Sequence, residues 1–229
     1  HECSSAASDV YKRQIQLLEN ASFIFAGPGS PSYASKLWYG NEFQKTLKNH
    51  LINGNNSLFA SAAASTLGEY TLPVYEIYKV GQDPYWEKGL NILDVYGLSC
   101  TVVPHFNNAE GGNHDTSFSY VGENRMKTLL DTSYSNILGI DEHTALIISG
   151  KKETFKVVGL GNVTVLNNEG THVFEKDSEE SLSKLQKLLI SDKKSSVEII
   201  DSEATEVNSA DKATLKETVS YTHLTLPTS

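Results

Sequence analysis

The sequence predicts an α/β fold with a mostly parallel sheet, because short apolar strands alternate with helices and each strand ends in a turn. Residues 22–26 (SFIFA) form an apolar run that ends in Gly27-Pro28-Gly29, and a helix is expected from Pro31. Residues 56–60 form a second run, followed by a small-residue helix that starts at Ala62. A strand that turns directly into a helix is typical of parallel, layered sheets.

The elements that follow continue the alternation. Phe43, Leu47 and Leu51 are spaced four apart, which predicts a helix with one apolar face. Further strands are expected at residues 100–104, 137–140 and 145–149, and a further helix at residues 123–130.

From Thr154 onward the pattern changes to β-branched alternation. The segments TFKVVG, NVTVLN and THVFE are separated by turns at residues 159–161 and 168–170, which predicts a small antiparallel β appendage. Asp177 and Glu180 have the spacing of a capping box for a following helix. The apolar face of that helix would consist of Leu182, Leu185 and Leu189.

The amino-acid composition argues against several classes of protein. The 229 residues carry a formal net charge of -9, which disfavours a general nucleic-acid binder because binding to phosphates needs a basic face. No apolar run is long enough to span a bilayer, so no membrane partner is expected. Two cysteines are too few for a disulfide framework, and a reducing, cytoplasmic location is predicted.

The two ends share no pattern with the rest of the chain and resemble translated sequencing-adapter scars, so the native part is expected to be a fragment truncated at its N-terminus. The predicted organisation is a non-native tail at 1–14, an α/β hydrolytic domain at 15–150, the β appendage plus helix at 151–192, a charged linker at 193–218 and a second non-native tail at 219–229.

Three side chains are candidates for chemistry, because reactive groups in open α/β sheets gather at the carboxyl ends of strands. Ser61 lies where a strand turns into a helix, the position at which an elbow presents a nucleophilic hydroxyl. His105 ends a second strand and could accept the proton. Glu76, an acidic residue fifteen positions past Ser61 and beyond the elbow helix, could orient the imidazole.

Each candidate also has a purely structural interpretation. A serine before alanines is more often a helix N-cap than a nucleophile. A histidine after proline at a strand end can be a surface residue, and Glu76 alone would be a solvated carboxylate. The joint placement at strand ends is what favours catalysis.

A second cluster, His105, Glu110, His114 and Asp115, has side chains of metal-ligand type. Its spacing fits no standard ligand pattern, so no metal is expected. Glu110 and His114 are better interpreted as lining a substrate pocket. Arg125 could pair with a substrate carboxylate, or with Glu123 or Asp141 as a structural ion pair.

Four blocks of residues 22–148 resemble the serine peptidase family that contains cyanophycinase and peptidase E, the aspartyl dipeptidase. They are FAGPGS, FASAAAS, VPHFNNAEGG with GENRM, and ILGIDEHTALII, the last being the most specific. The resemblance implies the fold of class I glutamine amidotransferases, a three-layer α/β sandwich of flavodoxin-like type. It also implies hydrolysis of a peptide or isopeptide amide with an acidic residue near the cleaved bond.

The resemblance implies a role for each matching residue. Ser61 matches the nucleophile, His105 the general base and Glu76 the orienting acid. The oxyanion hole would use the N–H of Ala62 and one from the loop between Gly27 and Gly29. The reaction requires no cofactor, the expected partner is a small peptide or amide substrate, and a homodimer is considered as an assembly state.

At the elbow, Phe59 and Ala63 stand where the family pattern has glycines. Side chains there would crowd a turn that needs close backbone packing. This departure keeps open an alternative function, a catalytically inactive amidotransferase-like binding module.

Overall fold

The computed structural model of the chain describes residues 2–131, 135–190 and 217–221. The helices in these ranges are α1 (Glu2–Glu19), α2 (Pro31–Trp38), α3 (Glu42–Ile52), α4 (Ala62–Ser65), α5 (Val74–Tyr78), α6 (Glu123–Asp131) and α7 (Leu182–Leu189), with a 3₁₀ turn at Leu93–Tyr96. None of them is long and apolar enough to cross a membrane.

The strands form two main sheets and one small ribbon. They are β1 (Phe23–Ala26), β2 (Asn56–Ala60), β3 (Tyr70–Thr71), β4 (Glu87–Lys88), β5 (Thr101–Val103), β6 (Ile137–Ile140), β7 (Thr144–Ser149), β8 (Thr154–Gly159), β9 (Val163–Asn167), β10 (Gly170–Phe174), β11 (Glu179–Ser181) and β12 (Glu217–Tyr221). One sheet has the order β1-β2-β12-β7-β8-β11 and the other β10-β9-β6-β5, while β3 pairs with β4.

The strand directions correct the expectation of a mostly parallel sheet, since both main sheets are mixed. Parallel pairing joins β1 to β2, β2 to β12 and β5 to β6. Antiparallel pairing joins β7 to both of its neighbours, β8 to β11, and β9 to both β6 and β10. Residues 150–153 and 168–169 are tight connections, and such short links permit only antiparallel neighbours, whereas parallel strands need a long crossover.

The segment predicted as an appendage is continuous with the two main sheets. Its first strand, β8, pairs with β7, and its second, β9, pairs with β6. Helix α1 runs through the predicted boundary at residue 14, and β12 includes residues 219–221 of the segment predicted as a tail. The strand pairing therefore extends beyond the boundaries drawn from the sequence.

Apolar side chains cover both faces of the four-stranded sheet. Val102 and Leu138 belong to the larger core cluster, whereas Val103 and Ile137 belong to a second cluster on the other face. Adjacent residues of a strand point to opposite faces, so this division buries β5 and β6 on both sides. That double burial explains why these short strands read as continuous apolar runs.

The final helix forms, but its predicted cap is wrong. Ser181 is the N-cap of α7, and residues 179–181 pair with β8 as β11. Because residues 179–181 pair with β8 as a strand, the helix begins only at Leu182, after the predicted capping box of Asp177 and Glu180. The predicted apolar face is found, since Leu182, Leu185 and Leu189 are buried.

Candidate active site

Three strand ends bring the candidate chemistry to one place. Ser61 follows β2 directly, while His105 and Glu142 each lie two residues beyond the ends of β5 and β6. Since β5 and β6 are parallel neighbours, their carboxyl ends point to the same edge. The topology therefore places an imidazole and a carboxylate side by side.

Ser61 occupies a strained elbow. Its φ of 52° and ψ of −115° lie outside the regions that non-glycine residues ordinarily adopt. It holds the N-cap position of α4, but its side chain makes no capping hydrogen bond. Its Oγ lies 2.7 Å from Nε2 of His105 instead. The hydroxyl is thus directed to the imidazole and does not cap the helix.

His105 bridges the hydroxyl and a carboxylate. Its Nδ1 lies 2.7 Å from Oε1 of Glu142. A carboxylate accepts hydrogen bonds, so Nδ1 carries the proton and Nε2 is left to accept from the Ser61 hydroxyl. Only 12% of the His105 side chain and 18% of the Glu142 side chain are exposed, which shields both hydrogen bonds from water.

Two asparagines of the loop after His105 hold Glu142. Asn108 is buried and donates from Nδ2 to the same Glu142 Oε1 at 2.7 Å. The backbone N–H of Glu142 donates to Oδ1 of Asn107, also at 2.7 Å. These contacts fix the carboxylate before any substrate binds, which is the preorganisation that catalysis requires.

Glycine at position 139 allows the loop after His105 to pack on β6. A Cβ at Gly139 would lie 2.4 Å from the Phe106 ring, so a larger residue would displace that ring. The backbone N–H of Phe106 donates to the carbonyl of Ile140, and its ring packs edge-on against Phe118. The turn that carries His105 is thereby anchored to the strand that leads to Glu142.

The assignment of Glu76 as the orienting acid requires correction. Glu76 lies on α5, where its Oε1 accepts a 2.6 Å hydrogen bond from Ser32 Oγ, and the position beside His105 is taken by Glu142. Glu76 is close to Ser61 along the chain, whereas the carboxylate beside His105 follows the adjacent parallel strand β6. A usable signal was present, because Glu142 also follows an apolar strand, as His105 does.

The side chains at positions 59 and 63 do not prevent the elbow from forming. Phe59 and Ala63 are each 1% exposed and belong to the main core cluster. Ser61 keeps its positive φ and its hydrogen bond to His105 with both side chains present. The elbow therefore forms without the crowding that was expected from these two side chains.

Restoring the glycine of the family pattern at position 59 is expected to destabilise the protein. Phe59→Gly removes a fully buried ring from the core and should lower the free energy of unfolding by about 4 kcal/mol. Urea unfolding followed by circular dichroism measures this. Phe59→Leu, which keeps most of the volume, should lose less than half as much; an unchanged midpoint for the glycine variant would contradict the core assignment.

The residues proposed for the oxyanion hole lie partly at the elbow. The N–H of Ala62 is in the first turn of α4, where amides have no acceptor within the helix. Ala62 and Gly29 both line a pocket that opens beside Ser61, whereas Gly27 is not among its lining residues. Gly29 has open space where a Cβ would lie, so its amide is sterically accessible.

That pocket has a volume of about 520 Å³, enough for a small peptide. It is lined by Ser61 and His105 together with Phe25, Pro28, Gly29, Pro31, Ala60, Ala62, Ser65, Val74, Tyr75, Tyr78, Lys79, Pro104, Ser119 and Tyr120. The nucleophile candidate and its base therefore face a cavity of substrate size.

The three residues expected to bind substrate do not line the pocket. Glu110, His114 and Arg125 are all exposed, and Glu110 reaches the site indirectly by accepting a 3.1 Å hydrogen bond from the Tyr120 hydroxyl. Within the described residues, no group of three or more acidic, histidine or cysteine side chains could hold a metal ion.

Asp115 anchors the loop that carries these residues. Its carboxylate accepts hydrogen bonds from the Glu123 backbone N–H at 2.6 Å and from both the N–H and the Oγ of Ser117. These bonds, the Glu123 amide first, hold the pKa of Asp115 below its usual value. The carboxylate thus caps the first turn of α6 from a distant loop position.

Replacing Asp115 should give a pH-dependent loss of stability. Asp115→Ala removes this cap and is expected to cost about 1 kcal/mol at neutral pH. A carboxylate with a depressed folded pKa stabilises the fold above its unfolded pKa of about 3.9 and stops doing so as the pH falls through the folded value. Urea midpoints of wild type and variant should therefore differ at about pH 7 and about pH 5.5, and the difference should shrink steadily as the pH is lowered below about 3.9. A difference independent of pH would contradict the ionic contribution.

Comparison with solved structures finds a likeness in fold, whereas the sequence comparisons find none. No protein-family model and no curated protein matches the chain. A peptidase of known crystal structure from an acI-B1 actinobacterium superposes with a TM-score of 0.54 at 21% identity. The match covers 73% of this chain and 62% of that protein's length. The family suggested by the four sequence blocks stays a prediction, while the structural likeness shows that the chain has the α/β fold of that peptidase.

Proposed function

We propose that the chain is a serine-type hydrolase of a peptide or isopeptide amide, with Ser61 as nucleophile, His105 as general base and Glu142 as the acid that orients it. The observation that carries the proposal is the unbroken relay from hydroxyl to imidazole to carboxylate, with both links at 2.7 Å. The likeness to an actinobacterial peptidase supports the hydrolytic interpretation at the level of the fold.

In the proposed reaction Ser61 Oγ attacks the amide carbonyl while His105 Nε2 takes the hydroxyl proton. Glu142 stabilises the imidazolium that results and keeps its proton on Nδ1. The backbone N–H of Ala62 is placed to stabilise the negative charge that develops on the carbonyl oxygen. His105 then delivers its proton to the leaving nitrogen, and water releases the acyl group by the reverse sequence.

The elbow geometry supports nucleophilic attack over a capping role. A non-glycine residue with φ near +50° costs about 1–3 kcal/mol, and such strain persists where the surrounding structure enforces it. His105 has a positive φ of 50° as well. Both partners of the hydrogen bond are thus held in costly backbone conformations that direct their side chains to each other.

A fluorophosphonate probe tests the proposal without knowledge of the substrate. The folded wild-type chain should be labelled at Ser61, as located by peptide mass spectrometry, and Ser61→Ala should not be labelled. Heat-denatured wild type serves as the control for nonspecific reaction. A folded wild-type chain that takes up no label would support the binding-module alternative instead.

A further inference from the structure

The pocket beside Ser61 exposes aromatic rings to solvent. Phe25, Tyr75 and Tyr78 line it and are 51%, 38% and 43% exposed. Large apolar groups gathered around one concavity mark a site that binds an apolar ligand, since leaving them in water is unfavourable. These rings, together with Val74 and three prolines, make the wall mainly apolar.

The aromatic wall extends to the reacting groups. The Tyr120 ring lies 6.0 Å from the His105 ring and 5.6 Å from the Tyr78 ring, measured between ring centroids. The Tyr120 hydroxyl is anchored by Glu110, and burial together with this hydrogen bond raises the pKa of Tyr120. A substrate side chain attached next to the attacked carbonyl would therefore lie against these aromatic rings, on the side of the pocket beside His105.

The backbone holds Tyr120 in this place at some cost. Phe118, Ser119 and Tyr120 have φ values of 55°, 57° and 68°, all in the left-handed region. The turn is fastened to the His105 segment, because the N–H of Ser119 donates to the His105 carbonyl and its hydroxyl to the Pro104 carbonyl. The turn that carries Tyr120 is thus hydrogen-bonded directly to the segment that carries the imidazole.

The pocket lining carries few charged side chains, and its one ammonium contacts an aromatic ring. Lys79 is the one Lys or Arg among the lining residues, all of which are described, and none of them is acidic. Its ammonium lies 4.1 Å from the centroid of the Tyr75 ring. Glu110 and Glu142 do not line the pocket; each is hydrogen-bonded to a lining residue, Tyr120 and His105 respectively.

We propose that this aromatic pocket is the specificity subsite of the enzyme and receives a bulky apolar or aromatic side chain of the peptide residue next to the scissile amide. The proposal rests on the proposed function and names its substrate class. It differs from the acidic residue that the family resemblance implies, and the reason is the set of side chains that line the cavity.

Competition for Ser61 tests the subsite without a known substrate. Alkylboronic acids bind active-site serines reversibly, so phenylethylboronic acid and carboxyethylboronic acid present the two kinds of side chain to the same hydroxyl. We expect the phenyl compound to protect Ser61 from fluorophosphonate labelling at a concentration at least about tenfold lower, because burying a phenyl group is worth that much in affinity. Tyr78→Ala should raise its half-protecting concentration about fivefold, and Tyr78→Leu, which keeps apolar volume, should restore most of the loss.

Tyr33→Ala is the matched control, since Tyr33 is 66% exposed on α2 and does not line the pocket. Protection by the phenyl compound should be unchanged in that variant. Stronger protection by the carboxyl compound, equal protection by both, or no protection by either while Ser61 is labelled would overturn the subsite proposal alone. Absence of Ser61 labelling in the folded protein would instead remove the proposed function, and the subsite with it.

Discussion

Ser61→Ala is expected to lower amide hydrolysis by about a million-fold in kcat, the loss that follows removal of the nucleophile from such a triad. The methyl group cannot attack the carbonyl, and His105 is left without the hydroxyl whose proton it would accept at 2.7 Å. The measurement is kcat and KM on a panel that contains aspartyl dipeptides, β-aspartyl-arginine, and phenylalanyl and leucyl dipeptides.

A matched serine variant separates this loss from any change in folding. Ser183 lies on the exposed side of α7, and its hydroxyl bonds only to a neighbouring serine among the contacts described. Ser183→Ala should keep turnover within about twofold of wild type, as expected for a surface substitution. Unchanged turnover of Ser61→Ala, with normal circular dichroism, would reject Ser61 as the nucleophile.

Glu142→Gln is expected to reduce kcat by about ten-thousandfold, while Glu76→Gln should change it less than about threefold. Glutamine carries no negative charge to stabilise the imidazolium, and its amide can donate to His105 Nδ1, which favours the wrong tautomer. Glu76 contacts Ser32 on α2, so its replacement should leave the relay from Ser61 intact.

The two glutamine variants together decide which carboxylate serves the histidine. Both replacements are nearly isosteric, so the comparison isolates charge and hydrogen bonding at each position. The same panel of substrates and the rate of fluorophosphonate labelling give two independent measures. Strong loss in Glu76→Gln together with near wild-type activity in Glu142→Gln would reverse the assignment.

The pair formed by Ser61 and His105 was accessible from the sequence because each residue follows an apolar strand. Reactive side chains gather at the carboxyl ends of strands, and here the ends of β2 and β5, which belong to different sheets, meet at the same pocket. The same argument applies to Glu142, which follows β6. The spacing from Ser61 favours Glu76 instead, but Glu76 lies on α5 and accepts a hydrogen bond from Ser32.

The organisation of the sheets was likewise predictable from the sequence only in part. The alternation of strands and helices up to residue 149 was visible in the apolar runs. The pairing partners of β8 and β9 could not be predicted from the sequence, because a β-branched segment with period two can form a separate hairpin or extend an existing sheet. Here β8 adds to β7 and β9 adds to β6, so the sheets become mixed.

The sequence by itself determined where the strands end and which hydroxyl and imidazole stand at those ends, because apolar runs and the turns after them are local properties of the chain. Only the tertiary structure decided that Glu142 is the carboxylate beside His105 and that Tyr75, Tyr78 and Tyr120 line the pocket. These choices depend on which strands pair and which loops meet, and such contacts join residues far apart in the chain whose types carry no mark of their partners.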